Sequence, residues 1–135
     1  MGIIYKAVCP ECDYQEEFYL GGGLFSMDLL GNIDTLSEEE QKKIKQLEDS
    51  GEIKRFFIEK ELTQCIHCKK LKSLEEKTII KITDKRGKTF IFGNYCSSCG
   101  NKLQIHEKVD ENKDKLICPD CGTAFLRFDR VGRWD

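Results

Sequence analysis

The chain has 135 residues, of which 39% are hydrophobic and 34% are charged, and its formal net charge at pH 7 is −2. This profile is typical of one compact folded domain or two small ones, and it excludes a disordered chain. No apolar run approaches the ~20 residues that a membrane-spanning helix needs, and the first residues lack the pattern of a secretion signal. We therefore expect a cytoplasmic protein without a membrane partner.

The charge is distributed unevenly along the chain. Residues 1–62 contain 7 Lys and Arg against 14 Asp and Glu, whereas residues 63–135 contain 15 against 10. Within the second half, residues 69–88 hold 8 basic and 3 acidic side chains, which accounts for the whole excess. An anionic chain is a poor candidate for nonspecific nucleic-acid binding, so any such binding should be confined to this one basic segment.

The first elements predicted are two strands, residues 5–8 and 14–20, because both runs are aromatic and β-branched. The first Cys-x-x-Cys motif lies between them, at the turn of the expected hairpin. The glycines at 21–23 should then break the second strand. They lack the Lys-Ser/Thr of a phosphate-binding loop, so a sharp turn is the simplest interpretation.

The clearest helix signal follows. Ser37 with Glu40 three residues later is a capping box, and Gly51 is placed to end the helix. Only Ile44 and Leu47 give this helix an apolar stripe, so we expect it to lie on the surface.

The second half predicts short strands only. Residues 78–83 and 88–92 should form a hairpin around the polar loop 84–87, which ends in glycine. The remaining predictions are a strand at 102–107, a polar turn at 110–114, a return strand at 115–117 and a closing strand at 123–129.

All eight cysteines belong to Cys-x-x-Cys pairs, and none is left over. Two thiolates on a tight turn can hold one side of a tetrahedral ion, and a second pair completes the shell. We therefore predict two zinc ions with four cysteines each, and iron is the alternative metal because four-sulfur sites also accept it. The predicted ligands are Cys9, Cys12, Cys65, Cys68, Cys96, Cys99, Cys118 and Cys121.

The spacing of the pairs suggests which of them share an ion. The third and fourth pairs are separated by 18 residues, which is within the usual zinc-ribbon range of ~15–20. The favoured arrangement is therefore sequential, with the first and second pairs sharing the other ion. A nested arrangement, second with third and first with fourth, and a cross-braced one remain open.

Three of the motifs resemble the metal-binding turns, or knuckles, of zinc ribbons and rubredoxin-like proteins. They read Cys9-Pro10-Glu11-Cys12, Cys96-Ser97-Ser98-Cys99-Gly100 and Cys118-Pro119-Asp120-Cys121-Gly122. The chain as a whole also resembles small bacterial proteins that carry four such pairs, a resemblance that implies no activity.

We therefore expect a small, metal-bound, mainly β fold: two zinc-ribbon units with one short α-helix in an insertion. The predicted units are residues 1–72, with the insertion at about 21–62, a basic hairpin connector at 73–95, and a second ribbon at 96–135.

Catalytic uses of these motifs lack the companion residues that they require. A redox dithiol needs a thioredoxin-like context with a cis-proline, but the prolines, Pro10 and Pro119, both lie inside knuckles. Neither His67 nor His106 is followed by the glutamate of a zinc deaminase. We therefore predict no catalytic residue and no small-molecule substrate, and both histidines are expected to be surface residues.

One segment suggests a partner. The hairpin 78–92 combines cations with aromatic rings, a combination suited to nucleic acid or to an acidic protein surface. The competing interpretation is that its phenylalanines belong to the core and its lysines solubilise an edge strand. The sequence thus predicts a zinc-binding, non-catalytic interaction or adaptor protein, with a redox or rubredoxin-like iron role as the alternative. The candidate contacts are Lys81, Lys85, Arg86, Lys88, Phe90 and Phe92.

Overall fold

The computed structural model describes residues 2–22, 28–65, 67, 74–106, 109 and 116–134. Gly23, Cys68, the basic residues at 69–73 and the predicted turn 110–114 lie outside these residues, as does part of the strands predicted at 102–107 and 115–117. The elements in chain order are strands β1 (Gly2–Val8) and β2 (Gln15–Gly21), a 3₁₀ turn (Leu30–Asn32), helix α1 (Glu38–Asp49), and strands β3 (Ile53–Gln64), β4 (Leu74–Asp84), β5 (Thr89–Phe92), β6 (Gln104–His106) and β7 (Arg127–Trp134).

These strands form a single antiparallel sheet in the order β5-β4-β3-β2-β1-β7. Strand β3 shares its second edge between two partners. It pairs with β2 at one position, Gly21 with Lys60, and with β6 over Leu62–Gln64. The sheet therefore consists of two parts, β7-β1-β2 and β5-β4-β3-β6, which are joined by the single β2–β3 pair.

Helix α1 begins and ends where the sequence predicts. The Ser37 side chain accepts a hydrogen bond from the Glu40 backbone N–H, the Glu40 side chain accepts one from the Ser37 backbone, and Gly51 follows the helix with φ = 67°. The helix lies on the surface, as expected, and buries only the two residues of its apolar stripe. Ile44 and Leu47 are buried, because their short apolar stripe packs onto the β3-β4-β5 part of the sheet.

Two hydrophobic clusters hold the sheet. The first covers one face of β1 and β2 and includes Tyr5, Phe18 and Leu62 together with two cysteines, Cys9 and Cys118. The second lies between α1 and the sheet and contains no cysteine. Its buried members are Leu29, Ile33, Leu36, Ile44, Leu47, Ile58, Ile80, Ile82 and Phe92.

The local hairpins are confirmed. Strands β1 and β2 pair on either side of the first knuckle, and β4 pairs with β5 around the loop 84–87. Strand β3, which has 12 residues, was not predicted and begins inside the helix-bearing insertion expected at about 21–62. The closing strand was predicted at 123–129, but β7 starts at Arg127 and continues to Trp134.

A mainly β fold with one helix is what the structure shows, but the sheet does not divide into two ribbon units. Strand β3 pairs with β4 across the first predicted domain boundary, and β1 pairs with β7 from opposite ends of the chain. Within the described residues, no helix has the length and hydropathy required to cross a bilayer.

Candidate metal centres

The pairing of the first and last strands creates one cysteine cluster. Strand β1 runs antiparallel to β7, from Gly2 opposite Trp134 to Val8 opposite Arg127. The residues just after Val8 therefore lie beside those just before Arg127. This pairing brings together the first and fourth knuckles, and the ligand atoms of Cys9, Cys12, Cys118 and Cys121 all lie within 4.8 Å of one another. We call this the outer cluster.

The sulfur distances fit a metal ion and not a disulfide. Cys9 Sγ lies 3.7 Å from Cys121 Sγ, and Cys12 Sγ lies 3.6 Å from Cys118 Sγ. Two sulfurs bound tetrahedrally to one ion at ~2.3 Å should be about 3.8 Å apart, whereas a disulfide bond is ~2.05 Å long. All four cysteines are free thiols in the structure.

Hydrogen bonds hold the knuckles in shape around the sulfurs. The Glu11 backbone N–H donates to Cys9 Sγ at 3.4 Å, and the Thr123 hydroxyl donates to Cys121 Sγ at 3.5 Å. Gly122 has φ = 68°, a conformation that favours glycine, and its N–H donates to the Cys118 carbonyl. Donors aimed at thiolates are the outer-shell support that metal ligands usually have.

The thiols of the outer cluster differ in acidity. Hydrogen bonds from the side chain and backbone of Thr123 lower the pKa of Cys121 to about 6. For Cys12, a hydrogen bond with the Tyr14 backbone lowers the pKa, but desolvation and the neighbouring thiols outweigh it and raise the pKa to about 12. Four clustered thiols therefore resist full ionisation by themselves, and a bound cation is what would stabilise all four thiolates together.

A second cluster forms where β3 meets β6. Gln64 at the end of β3 pairs with Gln104 at the start of β6, so Cys65 lies beside the knuckle that precedes β6. The ligand atoms of Cys65, Cys96 and Cys99 lie within 4.8 Å of one another, and Cys65 Sγ is 3.5 Å from Cys99 Sγ. We call this the inner cluster. Its fourth predicted ligand, Cys68, is outside the described residues.

The cysteines are therefore nested, and the sequential pairing favoured from the sequence is wrong. The 18-residue spacing suggested that the third and fourth knuckles share an ion, but β7 carries the fourth knuckle to β1 and β6 carries the third to β3. The nested arrangement, which was the main alternative, is the one that the structure shows.

The two clusters differ in exposure. Cys9 and Cys118 of the outer cluster are 4% and 1% exposed and belong to the first hydrophobic cluster. In the inner cluster, Cys65 is buried, Cys96 is half-buried and Cys99 is exposed. The Asn101 side-chain amide donates to Cys99 Sγ at 3.4 Å. The inner cluster is thus the more accessible of the two.

One comparison with known proteins gives a match. A zinc-ribbon family model described as "Nudix N-terminal" matches residues 94–125, which is 32 of the 135 residues. No curated protein and no solved structure matches the chain. The match and the cysteine clusters together support a zinc-ribbon type of metal-binding protein.

The match spans the third and fourth knuckles, which the structure assigns to different clusters. A family model reports that a sequence pattern is present, whereas the sulfur distances report which knuckles are neighbours. We therefore assign ligand sharing from the distances, and the matched segment contributes one knuckle to each cluster.

The hairpin predicted to contact a partner is divided between surface and core. Lys85, Arg86 and Lys88 are exposed around its tip. Phe92 is only 6% exposed and belongs to the helix-sheet core, so its ring is not available to a partner. Phe90 is half-buried and lies against two cations, with the Nζ atoms of Lys88 and Lys43 at 4.9 and 5.1 Å from its ring centroid.

Other predicted residues have simpler environments. Lys81 lies in the middle of β4 and is half-buried, and His67 is exposed. His106 is half-buried rather than on the surface, and its Nε2 lies 3.2 Å from the Gln64 side-chain oxygen. Gly21 has φ = 96° where β2 ends, in agreement with a backbone turn.

Two residues of the unpredicted strand β3 were not among the candidate contacts. Phe57 is 56% exposed, and Arg55, on the same face, is also exposed. Residues 53–62 show no strict alternation, and the one strand signal there was the aromatic and β-branched run Phe56-Phe57-Ile58.

Proposed function

We propose that the chain is a non-catalytic binding module whose fold is held by two Zn²⁺ ions and whose basic end contacts an anionic macromolecule. The observation that carries the proposal is a group of exposed cations at one end of the β3-β4-β5 sheet, in a chain whose net charge is negative. We call this group the basic end. It consists of Lys54, Arg55, Lys85, Arg86 and Lys88.

Zinc is the preferred ion because both clusters are built only from cysteines. A shell of four thiolates leaves no open position for a substrate or a water, which is the arrangement of structural sites and not of catalytic ones. Eight thiolates and two Zn²⁺ ions would change the net charge from −2 to about −6. The metal thereby makes the rest of the molecule more anionic and the basic end more distinct.

The turn that carries the basic end is preorganised. Asp84 is 7% exposed, and its Oδ1 accepts hydrogen bonds from the backbone N–H groups of Arg86 and Lys88, both at 2.9 Å. The Lys85 N–H donates to the Glu52 carbonyl at 2.9 Å. The backbone of the tip is therefore fixed, and the one carboxylate inside the turn is already hydrogen-bonded within it.

Among the described residues, no ion pair involves the side chains of Arg55, Lys85 or Arg86. The Lys88 ammonium lies over the Phe90 ring, and the nearby Asp84 carboxylate is engaged by backbone N–H groups. Exposed cations that are not paired are available for phosphates or carboxylates of a partner.

Metal content tests the first half of the proposal. Elemental analysis of the purified protein should give two Zn²⁺ per chain, and a thiol reagent under native conditions should react slowly with all eight cysteines until a chelator is added. Bound iron with a visible charge-transfer band, or a rapidly oxidised cysteine pair, would instead support the redox alternative.

Charge reversal tests the second half. We expect the protein to bind labelled heparin, and the variant Lys85→Glu/Arg86→Glu/Lys88→Glu to lose at least ~10-fold in affinity at low salt. The matched control, Lys42→Glu/Lys45→Glu/Lys102→Glu, makes the same charge change at exposed positions elsewhere. Equal losses in the two variants, or no binding by the wild type to heparin, polyglutamate and oligonucleotides, would overturn the proposed function.

A further inference from the structure

Strands β3, β4 and β5 have one face covered by α1, and the described residues place no helix on the other face. The register aligns Ile58 with Ile80 and Phe92, and these three side chains belong to the core beneath α1. On alternate positions the register aligns Phe57 with Lys81 and Ile91. This second row, together with Arg55, lies on the opposite face of the sheet. We call Arg55, Phe57, Lys81 and Ile91 the open face.

The open face exposes large apolar groups beside cations. Phe57 is 56% exposed, the highest value among the exposed large hydrophobic residues of the described chain, and Ile91 is 44% exposed. Lys81 lies directly opposite Phe57 on the neighbouring strand, and Arg55 precedes Phe57 by two positions on the same face. A ring with more than half of its surface in water contributes little to the protein's own core.

The face is open at only one end. Towards the knuckles its residues are covered: Ile79 is 1% exposed, Thr63 is 0% exposed, and Lys77 Nζ donates to the Tyr95 carbonyl at 3.4 Å. Glu59, opposite Ile79, is exposed and lies on the same face two positions after Phe57, so it is the acidic limit of the open face on that side. Towards the basic end, Thr83 is 7% exposed, whereas Arg55 opposite it is exposed and belongs to both the open face and the basic end. The uncovered part therefore runs from Phe57 to Arg55, where it meets the basic end.

We infer that the open face binds single-stranded nucleic acid, with a base stacked on Phe57 and the phosphates held by Arg55, Lys81 and the basic end. This inference rests on the proposed function and names its partner. Single-strand binding surfaces combine a cationic track with exposed aromatic rings on which bases stack.

A single strand fits this surface better than the other anionic partners do. An acidic peptide would use the cations, but its carboxylates gain nothing from an exposed ring. A duplex presents its phosphates, but its bases are already stacked on each other and leave no free face for Phe57. The position of Phe57 between two cations therefore favours a strand with unpaired bases.

The test compares three substitutions of Phe57 on two probes, a labelled 12-nucleotide oligo-dT strand and a duplex of the same length. Stacking of one base on an aromatic ring is worth ~1–3 kcal/mol, so Phe57→Ala and Phe57→Leu should each weaken single-strand binding by roughly 5-fold or more. Phe57→Tyr, which keeps the ring, should bind as the wild type does. Duplex binding should change by less than 2-fold in all three variants.

Val131→Ala is the matched control, because Val131 is an apolar residue that is 51% exposed on the opposite edge of the sheet. Since Phe57 is exposed, its variants should fold as the wild type does, and circular dichroism and metal content verify this. If Phe57→Ala binds the single strand as tightly as the wild type does, the stacking inference is overturned.

The proposed function can survive that result. Loss of heparin binding in the charge-reversal variant would still support it. If polyglutamate binds as tightly as oligo-dT, and substitution of Phe57 changes neither affinity, the partner is an acidic protein surface. Wild-type protein that binds none of these probes overturns both the proposed function and the inference.

Discussion

Trp134, the one tryptophan of the chain, lies across the backbone of Gly2. A Cβ atom built on Gly2 would overlap the indole ring, so only glycine leaves room for it. The indole N–H donates to the Leu20 carbonyl at 3.0 Å, and Lys60 Nζ lies 5.1 Å from the ring centroid. One side chain at the end of the last strand thus connects β1, β2 and β3.

Gly2→Ala should destabilise the protein by about 1–3 kcal/mol, because the added methyl group must displace the indole or the backbone of β1. Urea unfolding followed by far-UV circular dichroism, a signal that does not require Trp134, measures this change. The same substitution in a Trp134→Ala background serves as the control. If Gly2→Ala costs as much there, the overlap with the indole is not the cause.

His106 gives the fold a dependence on pH. Desolvation by burial lowers its pKa from 6.5, because the charged imidazolium loses hydration in its half-buried site. The unfolded chain then binds more protons than the folded chain just below pH 6.5. The stability that His106 contributes is complete above this pH and decreases as the pH falls towards the lowered folded-state pKa.

The ring protons of His106 should therefore titrate below pH 6.5 when followed by NMR in the metal-loaded protein. His106→Gln should show a smaller loss of stability between pH 6.5 and the folded-state pKa than the wild type does. A His106 ring that titrates at or above 6.5 would contradict the assignment.

At the scale of the element, the sequence predicts those features that depend only on residues close together in the chain. The capping box at Ser37, the turn at 84–87 and the hairpin around Cys9 are local patterns, and each is present in the structure. Strand β3 was missed because five of its 12 positions are charged, in blocks that break any strict alternation. Its stability comes from pairing with β4 along its whole length, a contact that no local pattern encodes.

The ligand pairing shows the same limit. The sequence shows which residues are cysteines and that they occur in pairs. Which two pairs share a cluster depends on the pairing of strands that are far apart in the chain. The 18-residue spacing was a valid local signal, and the pairing of β1 with β7 overrides it. Long-range pairing is a property of the folded sheet and not of the interval between two motifs.

Glu40 connects α1 to the end of β5. Besides completing the capping box with Ser37, its second carboxylate oxygen accepts a hydrogen bond from the Gly93 N–H at 2.9 Å. We expect Ser37→Ala to cost about 1 kcal/mol, the usual value for a lost N-cap. Glu40→Ala should cost more, because it also leaves the Gly93 N–H without its acceptor. Denaturant unfolding measures both, and a smaller loss for Glu40→Ala would refute the connecting role.

At the scale of the whole molecule, we expect the two parts of the sheet to depend on metal to different degrees. The first hydrophobic cluster includes Cys9 and Cys118, whereas the cluster beneath α1 contains no cysteine. Structural zinc sites supply ~10–16 kcal/mol of apparent binding energy, so the outer cluster should be decisive for the β7-β1-β2 part. Because β1 pairs with β7 beside this cluster, losing Cys118 should affect both ends of the described chain.

Cys118→Ser should therefore remove hydrogen-exchange protection from β1 and β7 together, while α1 and the central pairs of β3 and β4 stay protected. Cys96→Ser should expose the third knuckle and β6 and leave β1 and β7 protected. Amide exchange with mass spectrometry on both variants distinguishes these patterns. A Cys118→Ser protein that keeps protection in β1 would show that the outer cluster does not hold the chain ends.

The nesting of the clusters also sets an order of events during synthesis on the ribosome. The inner cluster needs no residue beyond Cys99, so it can close while the C-terminal part is still being made. Cys9 and Cys12 must wait for Cys121, which lies 109 residues after Cys12. At ~5–20 residues per second this delay is about 5–20 s. During that interval Cys9 and Cys12 are outside the ribosome without the other two ligands of their cluster. Of the cysteine pairs, this first one must therefore be protected from oxidation or foreign metal for the longest time.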